Sequence, residues 1–239
     1  MSDQVQLMKQ DLSALGNDQK AKASARFFKT GSGQYGEGDK FIGVTVPEIR
    51  AVTKIFFDLS LNDIQMLLRS AIHEYRLAAL IILNKQFEKG DNKKRQTIYE
   101  LYLRNTRWIN NWDLVDLSAE YIVGAWLKDR EDKMHILEKL SVSKSIWERR
   151  IAVIATFTYI KQGESKEALI IAELLLKDTE DLIQKAVGWM LREIGKRCSL
   201  VKEENFLKKH YKVMPRTMLR YAIERFPEDK RQAYTLCAS

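Results

Sequence analysis

The sequence predicts an all-α chain, and three observations carry that prediction. Leu, Ala, Ile, Lys, Glu and Arg dominate, with only 3 Pro and 11 Gly in 239 residues, a mixture that favours helix over sheet. Apolar residues recur at helical spacing, as in Ile64, Leu67, Leu68 and Ala71, then Leu77, Leu80 and Ile81, continued by Asn84 with Leu83 beside it, while strand-like alternation is nowhere sustained. Short polar breaks separate these stretches: Gly90-Asp91-Asn92, Lys128 to Asp132, Gln162-Gly163-Glu164 and Lys177 to Glu180. Helices of about 10 to 16 residues joined by such loops suggest stacked helical hairpins.

Related segments recur: HEYRLAALIIL at 73–83, WERRIAVIATF at 147–157, LIQKAVGWMLRE at 182–193 and RTMLRYAIERF at 216–226. Each reads as the second helix of a pair. The position before the apolar-Ala core is Arg76, Arg150, Lys185 and Arg220, and LVDLSAEYIVG places Asp116 in the same slot. The resulting period of roughly 35 residues lies in the range of HEAT-type α-solenoids, whose helical pairs bury their apolar faces against neighbouring pairs. The expectation is a single domain over residues 1–239, of about six antiparallel pairs with a concave basic face, and with frayed ends at 1–5 and 235–239. The slot residues would form a ridge of positive charge interrupted by one carboxylate. An alternative is that Arg76 and Arg220 pair with acids of the preceding repeat.

A hydrophobic content of 45 % is enough for a substantial core. The net charge of +8, from 40 basic residues scattered among 32 acidic ones, makes nucleic acid the first partner to test. Cys198 and Cys237 are too few and too unpatterned for a disulfide framework or a zinc site, so the expected compartment is the reducing cytosol. No signal peptide is read at the N-terminus, and no apolar run approaches about 18 residues, so neither secretion nor a membrane span is expected.

The richest stretch is Trp108-Ile109-Asn110-Asn111-Trp112-Asp113-Leu114-Val115-Asp116, at the start of an expected helix. Asp113 and Asp116 lie about one turn apart. A carboxylate near a helix N-terminus is stabilised by free N–H groups and the dipole, which makes Asp113 a candidate cap and Asp116 the candidate for chemistry. Trp108, Trp126 and Trp147 read as core. Trp112 stands four residues before Asp116 and Trp189 four after Lys185, so each shares a helix face with its charged neighbour.

WDLVD at 112–116, WERR at 147–150, IQKAVGWMLRE at 183–193 and GVTVPEIR at 43–50, in this order and spacing, resemble the corresponding stretches of the AlkD family of DNA alkylation-repair glycosylases, over roughly residues 20–230. The resemblance implies a HEAT-like superhelix that cradles duplex DNA and releases cationic alkylpurines such as 3-methyladenine and 7-methylguanine. On this sequence it implies Asp116 as the catalytic carboxylate, Trp112 and Trp189 as an aromatic pair around the damaged nucleotide, and Arg150 on the neighbouring phosphate. Arg149, Lys185, Arg76 and Arg220 complete the expected phosphate-binding set, on a monomer that uses no metal and no cofactor. The sequence departs from the family pattern at Asn111, where an aromatic is expected, and at Arg149, an added cation.

The residue types suit the chemistry. An already cationic purine leaves without prior protonation, and the carboxylate stabilises the oxocarbenium charge developing on the sugar or orients water. Indole faces attract the same cation. The alternative is a non-catalytic binder of branched or distorted DNA in which Asp116 is structural. A protein-binding scaffold is weaker still, because the basic ridge favours an anionic partner. Gly31-Ser32-Gly33-Gln34-Tyr35-Gly36 formally matches G-x-G-x-x-G, but no strand precedes it, and it reads as a flexible loop. His73, His135 and His210 are scattered without metal-ligand spacing, and Cys198 has no nearby His to activate it.

Overall fold

The computed structural model describes residues 2–236, so Cys237 and the last residues of the expected frayed end lie outside it. Among the described residues the architecture is all-helical, with one isolated bridge between Lys40 and Ile72 and no strand. The chain divides into two compact units, residues 1–122 and 123–239.

The N-terminal unit contains α1 (Asp3–Ala14), α2 (Asp18–Phe27), α3 (Val46–Thr53), α4 (Leu61–Leu68), α5 (His73–Lys89), α6 (Asn92–Arg104) and α7 (Trp112–Ala119). Of the end expected to fray at 1–5, Met1 lies outside the described residues, and α1 starts at Asp3, is capped by the Ser2 side chain, and buries Val5, Met8 and Leu12. Helix α4 buries Ile64, Leu67 and Leu68 against α5, but stops before Ala71, which is exposed in the connection. Helix α5 is buried over most of its circumference, as expected for a helix enclosed by α3, α4, α6 and α7. Gly90 and Asp91 form the punctuation between α5 and α6: Gly90 is the C-cap and the Asp91 carboxylate caps the N-terminus of α6.

The long segment between α2 and α3 has no regular structure, but it is tied down. Lys40 exchanges backbone hydrogen bonds with the start of α5, donating to Ala71 at 3.0 Å and accepting from His73 at 2.8 Å. The Glu74 carboxylate accepts from the N–H groups of Ile42 and Gly43, the latter at 2.8 Å. Gly43 has φ of 79°, and a Cβ there would overlap the Asn17 carbonyl, so glycine is required twice over.

The C-terminal unit contains α8 (Ala125–Leu127), α9 (Lys133–Ser141), α10 (Ile146–Ala155), α11 (Phe157–Ile160), α12 (Lys166–Leu174), α13 (Asp181–Arg197), α14 (Leu200–His210), α15 (Arg216–Ala222) and α16 (Glu228–Leu236). Helix α13 is its centre, packing on α10, α12, α14 and α15. The approach of α15 is close because Gly188 has no side chain; a Cβ there would press on the Met218 carbonyl and the Tyr221 Cβ. The expected second helices, α5, α7, α10, α13 and α15, begin at residues 73, 112, 146, 181 and 216, so the sequence period is realised in helix positions.

Candidate functional site

Helix α7 begins where the sequence places the informative stretch. Its N-cap is Asn111, whose buried side chain accepts from the Trp112 N–H at 2.8 Å. Asp113 is therefore in the first turn and is not the capping residue. One of its oxygens accepts from the Leu114 N–H at 2.9 Å, and the other meets the His73 Nε2 at 2.8 Å.

Trp112 is half-buried against aromatic neighbours that sequence reasoning did not assign. Phe27 lies edge-on to its indole with centroids 5.9 Å apart, and Phe28 is tilted against it at 5.4 Å. Behind them, Phe28 stacks on Phe41 at 5.2 Å and on His73 at 5.0 Å, and Phe41 stacks on His73 at 4.7 Å. Phe27 is 65 % exposed at the outer edge of this cluster. The adjacent aromatic pair Phe27-Phe28 was the available signal in the sequence.

Asp116 stands on α7 one turn beyond Trp112, with its side chain half-buried. It is close enough to Tyr102 to act on that hydroxyl: burial raises the phenol above its ordinary range, the hydrogen bond with Ser118 at 2.9 Å opposes this, and the charge of Asp116 raises it further. Tyr102 thus stays a neutral hydroxyl beneath the carboxylate.

Below the aromatic cluster is a charged network. His73 is 2 % exposed; its Nε2 faces Asp113, and its Nδ1 lies 3.3 Å from Asp39 Oδ2. That same Asp39 oxygen accepts from Arg76 Nη2 at 2.6 Å, and Asn110 donates to the other at 3.3 Å. Burial would raise the Asp39 carboxyl, but the His73 hydrogen bond and the Arg76 charge outweigh it and hold the group below the usual carboxylate range. Burial pulls the His73 imidazolium down; the hydrogen bonds to Asp113 and Asp39 overcome that, and the net direction is upward.

This network corrects the expected role of Arg76. At 2 % exposure, with its guanidinium committed to Asp39 and to the Ser70 carbonyl at 2.9 Å, it is closed to a phosphate. Arg150 is also buried, at 5 % exposure, and its guanidinium donates to the Leu182 carbonyl. Arg149 is neutralised by Asp178 at 2.7 Å and donates to the carbonyls of Ser143 and Lys144, so it braces the entry to α10. Lys185 forms a surface pair with Asp181 at 2.7 Å, and Arg220 is exposed on α15. Trp189 is half-buried on α13, one turn beyond Lys185, with its ring 5.7 Å from that of Phe157.

Of the other tryptophans, Trp126 and Trp147 are buried as expected, but Trp108 is half-exposed and carries the Arg107 guanidinium over its ring at 5.6 Å. The Cys198 thiol donates to the carbonyls of Ile160 and Glu164, and burial pushes its pKa up, which opposes a nucleophilic thiolate.

The DNA alkylation repair enzyme family matches residues 8–226, and the chain belongs to it. A solved structure titled a predicted DNA alkylation repair enzyme, from Enterococcus faecalis, superposes with a TM-score of 0.70 at 17 % identity, covering 89 % of this chain and 97 % of that one. At that identity the likeness is one of fold. No curated protein matches the sequence.

Proposed function

We propose that this family member is a monofunctional DNA glycosylase that hydrolyses the N-glycosidic bond of cationic alkylpurines, 3-methyladenine and 7-methylguanine, in duplex DNA. The observation that carries the reading is the pairing on α7 of a half-exposed indole and, one turn on, a half-exposed carboxylate, with Phe27 extending the aromatic surface outward. A cationic nucleotide is the ligand such a surface suits, since the ring quadrupole and the carboxylate both attract positive charge, the former by roughly 0.5–2 kcal/mol per ring.

In the reaction, the bond from C1′ to the purine nitrogen breaks and its electron pair leaves with the base, which departs neutral. Asp116 stabilises the oxocarbenium-like charge left on the sugar, or orients the water that adds to C1′ and accepts its proton. Trp112 and Trp189 contact the lesion nucleotide, while Lys185 and Arg220 supply salt-sensitive phosphate contacts. The reading involves no metal and no cofactor, a monomer acting in the cytosol, and double-stranded DNA as partner. A non-catalytic binder of distorted DNA on the same fold is the competing reading.

Release of 7-methylguanine from methylated duplex DNA, measured with a chelator present for the wild type and Asp116→Asn, separates the two. The glycosylase reading expects release by the wild type only, with DNA affinity of the variant equal or higher because a charge repelling phosphate is gone. Absence of release by either, with salt-sensitive DNA binding intact, refutes it in favour of the binder.

A further inference from the structure

The charged network beneath Trp112 joins four segments of the N-terminal unit: Asp39 from the irregular segment before α3, His73 and Arg76 from the start of α5, Asn110 from the approach to α7, and Asp113 from its first turn. Both ring nitrogens of His73 face carboxylate oxygens, at 3.3 Å on Asp39 and 2.8 Å on Asp113. A neutral imidazole has one N–H and can satisfy only one of them as a donor; an imidazolium satisfies both. Charge points the same way, since two carboxylates, Arg76 and a protonated His73 sum to zero in a buried setting where an unmatched charge is expensive.

We propose that His73 is a positioning residue for the α7 site: a buried imidazolium between Asp39 and Asp113 that fixes the first turn of α7, and with it Trp112 and Asp116, so that the site is set only while His73 keeps its second proton. The inference deepens the glycosylase reading, on which its catalytic consequence rests. His73 itself is covered by Phe28 and Phe41 and does not reach a substrate. It acts through two routes that meet at Trp112: the Asp113 carboxylate next to Trp112 in α7, and the stack through Phe28 onto the indole.

The neighbouring charged groups are accounted for. Arg76 shares the Asp39 oxygen and lies 3.4 Å from His73 Nδ1, so it opposes protonation together with burial. Glu74, next to His73, is turned to the N–H groups of Ile42 and Gly43, and Lys40 meets His73 through its backbone carbonyl. Asp39 and Asp113 favour the proton, and together they prevail. The site is therefore set below the elevated His73 titration and loosens as pH rises through it.

The test is an NMR titration of the full chain from about pH 5.5 to 9, following the three imidazoles and the indole N–H of Trp112, each identified by its loss in His73→Gln or Trp112→Phe. His73 should titrate above 6.5, its midpoint should fall by about one pH unit in Asp113→Asn, and the Trp112 indole should shift with the same midpoint as His73. In parallel, 7-methylguanine release by the wild type should fall roughly 10- to 100-fold across that midpoint, as expected for a misplaced catalytic group. Release by His73→Gln should be low with no such step. A His73 midpoint at or below 6.5, or an indole blind to the titration, overturns the proposal. An alkaline step in release that persists unchanged in His73→Gln also overturns it while leaving the glycosylase reading intact. Coupled titration in a protein that releases no base upholds the positioning role and refutes the glycosylase reading.

Discussion

Replacing Glu203 by Gln should make the chain more stable in alkaline solution, by an amount that depends on pH in a defined way. Glu203 lies on α14 and is 2 % exposed, packed over Gly195 of α13, with its Oε1 lacking a hydrogen-bond partner. Burial, reinforced by the adjacent Glu204 and only partly offset by Arg192, pushes its pKa up to about 8 from 4.5. Arg192 pairs through its Nη1 with Glu224, and its charge offsets the Glu203 shift only in part. The folded state therefore binds this proton more tightly than the unfolded chain does. The cost of the carboxyl is absent below about pH 4.5, grows as pH rises, and is complete above about 8. At about 1.36 kcal/mol per pH unit, linkage gives about 3 kcal/mol at pH 7, and a ceiling of about 5 kcal/mol. Gln has nearly the same shape and no proton to lose. Its amide adds an unsatisfied group costing about 1–3 kcal/mol, but at every pH alike. The discriminating quantity is thus the change in the difference between variant and wild type. Urea unfolding at pH 5 and pH 8 should show that difference moving in favour of Glu203→Gln by about 3 kcal/mol. Stability curves that stay parallel between those pH values would refute the reasoning, for they would mean that Glu203 is ionised at no cost or has found a partner.

Gly195→Ala should destabilise the wild type, because its Cβ would overlap Glu203 Oε2, yet should stabilise a Glu203→Ala background by roughly 1 kcal/mol from helix propensity; a thermodynamic cycle by chemical denaturation checks the change of sign. Phe27→Ala, at a largely exposed ring, should leave the melting temperature nearly unchanged while weakening binding of methylated duplex by roughly 1 kcal/mol, measurable by fluorescence anisotropy. Lys185→Ala or Arg220→Ala should each lower the slope of log affinity against log salt by about 1, whereas Arg76→Gln should reduce stability by about 3–5 kcal/mol, because it leaves Asp39 short of a buried partner. Gly43→Ala should be strongly destabilising by thermal melt, since the left-handed backbone and the overlap with Asn17 act together.

The helices were legible because their apolar spacing and polar breaks are local signals. Gly90-Asp91 serves as both a C-cap and an N-cap, as composition suggests, and the second helices begin at nearly the spacing of the repeated segments. The placing of Trp112 and Asp116 on one turn is likewise a property of helix geometry. What the sequence could not resolve is which way a slot residue turns. Arg76, Arg150 and Arg220 occupy one register, yet Arg220 is exposed while Arg76 is consumed by Asp39, 37 residues away in an irregular segment. Periodicity carries no information about such a partner. The same holds for His73: its carboxylates are 34 and 40 residues distant, so a histidine scattered among helical residues looks inert until the chain is folded. Asp113 was read through its local helix end, and its long-range bond to His73 was invisible for the same reason.

The quartet of Asp39, His73, Arg76 and Asp113 also bears on how the family can diverge. Losing any one member leaves a buried charge unmatched, whereas replacing the whole set with well-packed apolar residues can be neutral or favourable. Single substitutions therefore lead downhill in fitness from either end, and the route between a charged and an apolar core passes through unstable intermediates. Lineages should inherit these four positions as a block, and where one has changed, the other three should have changed with it.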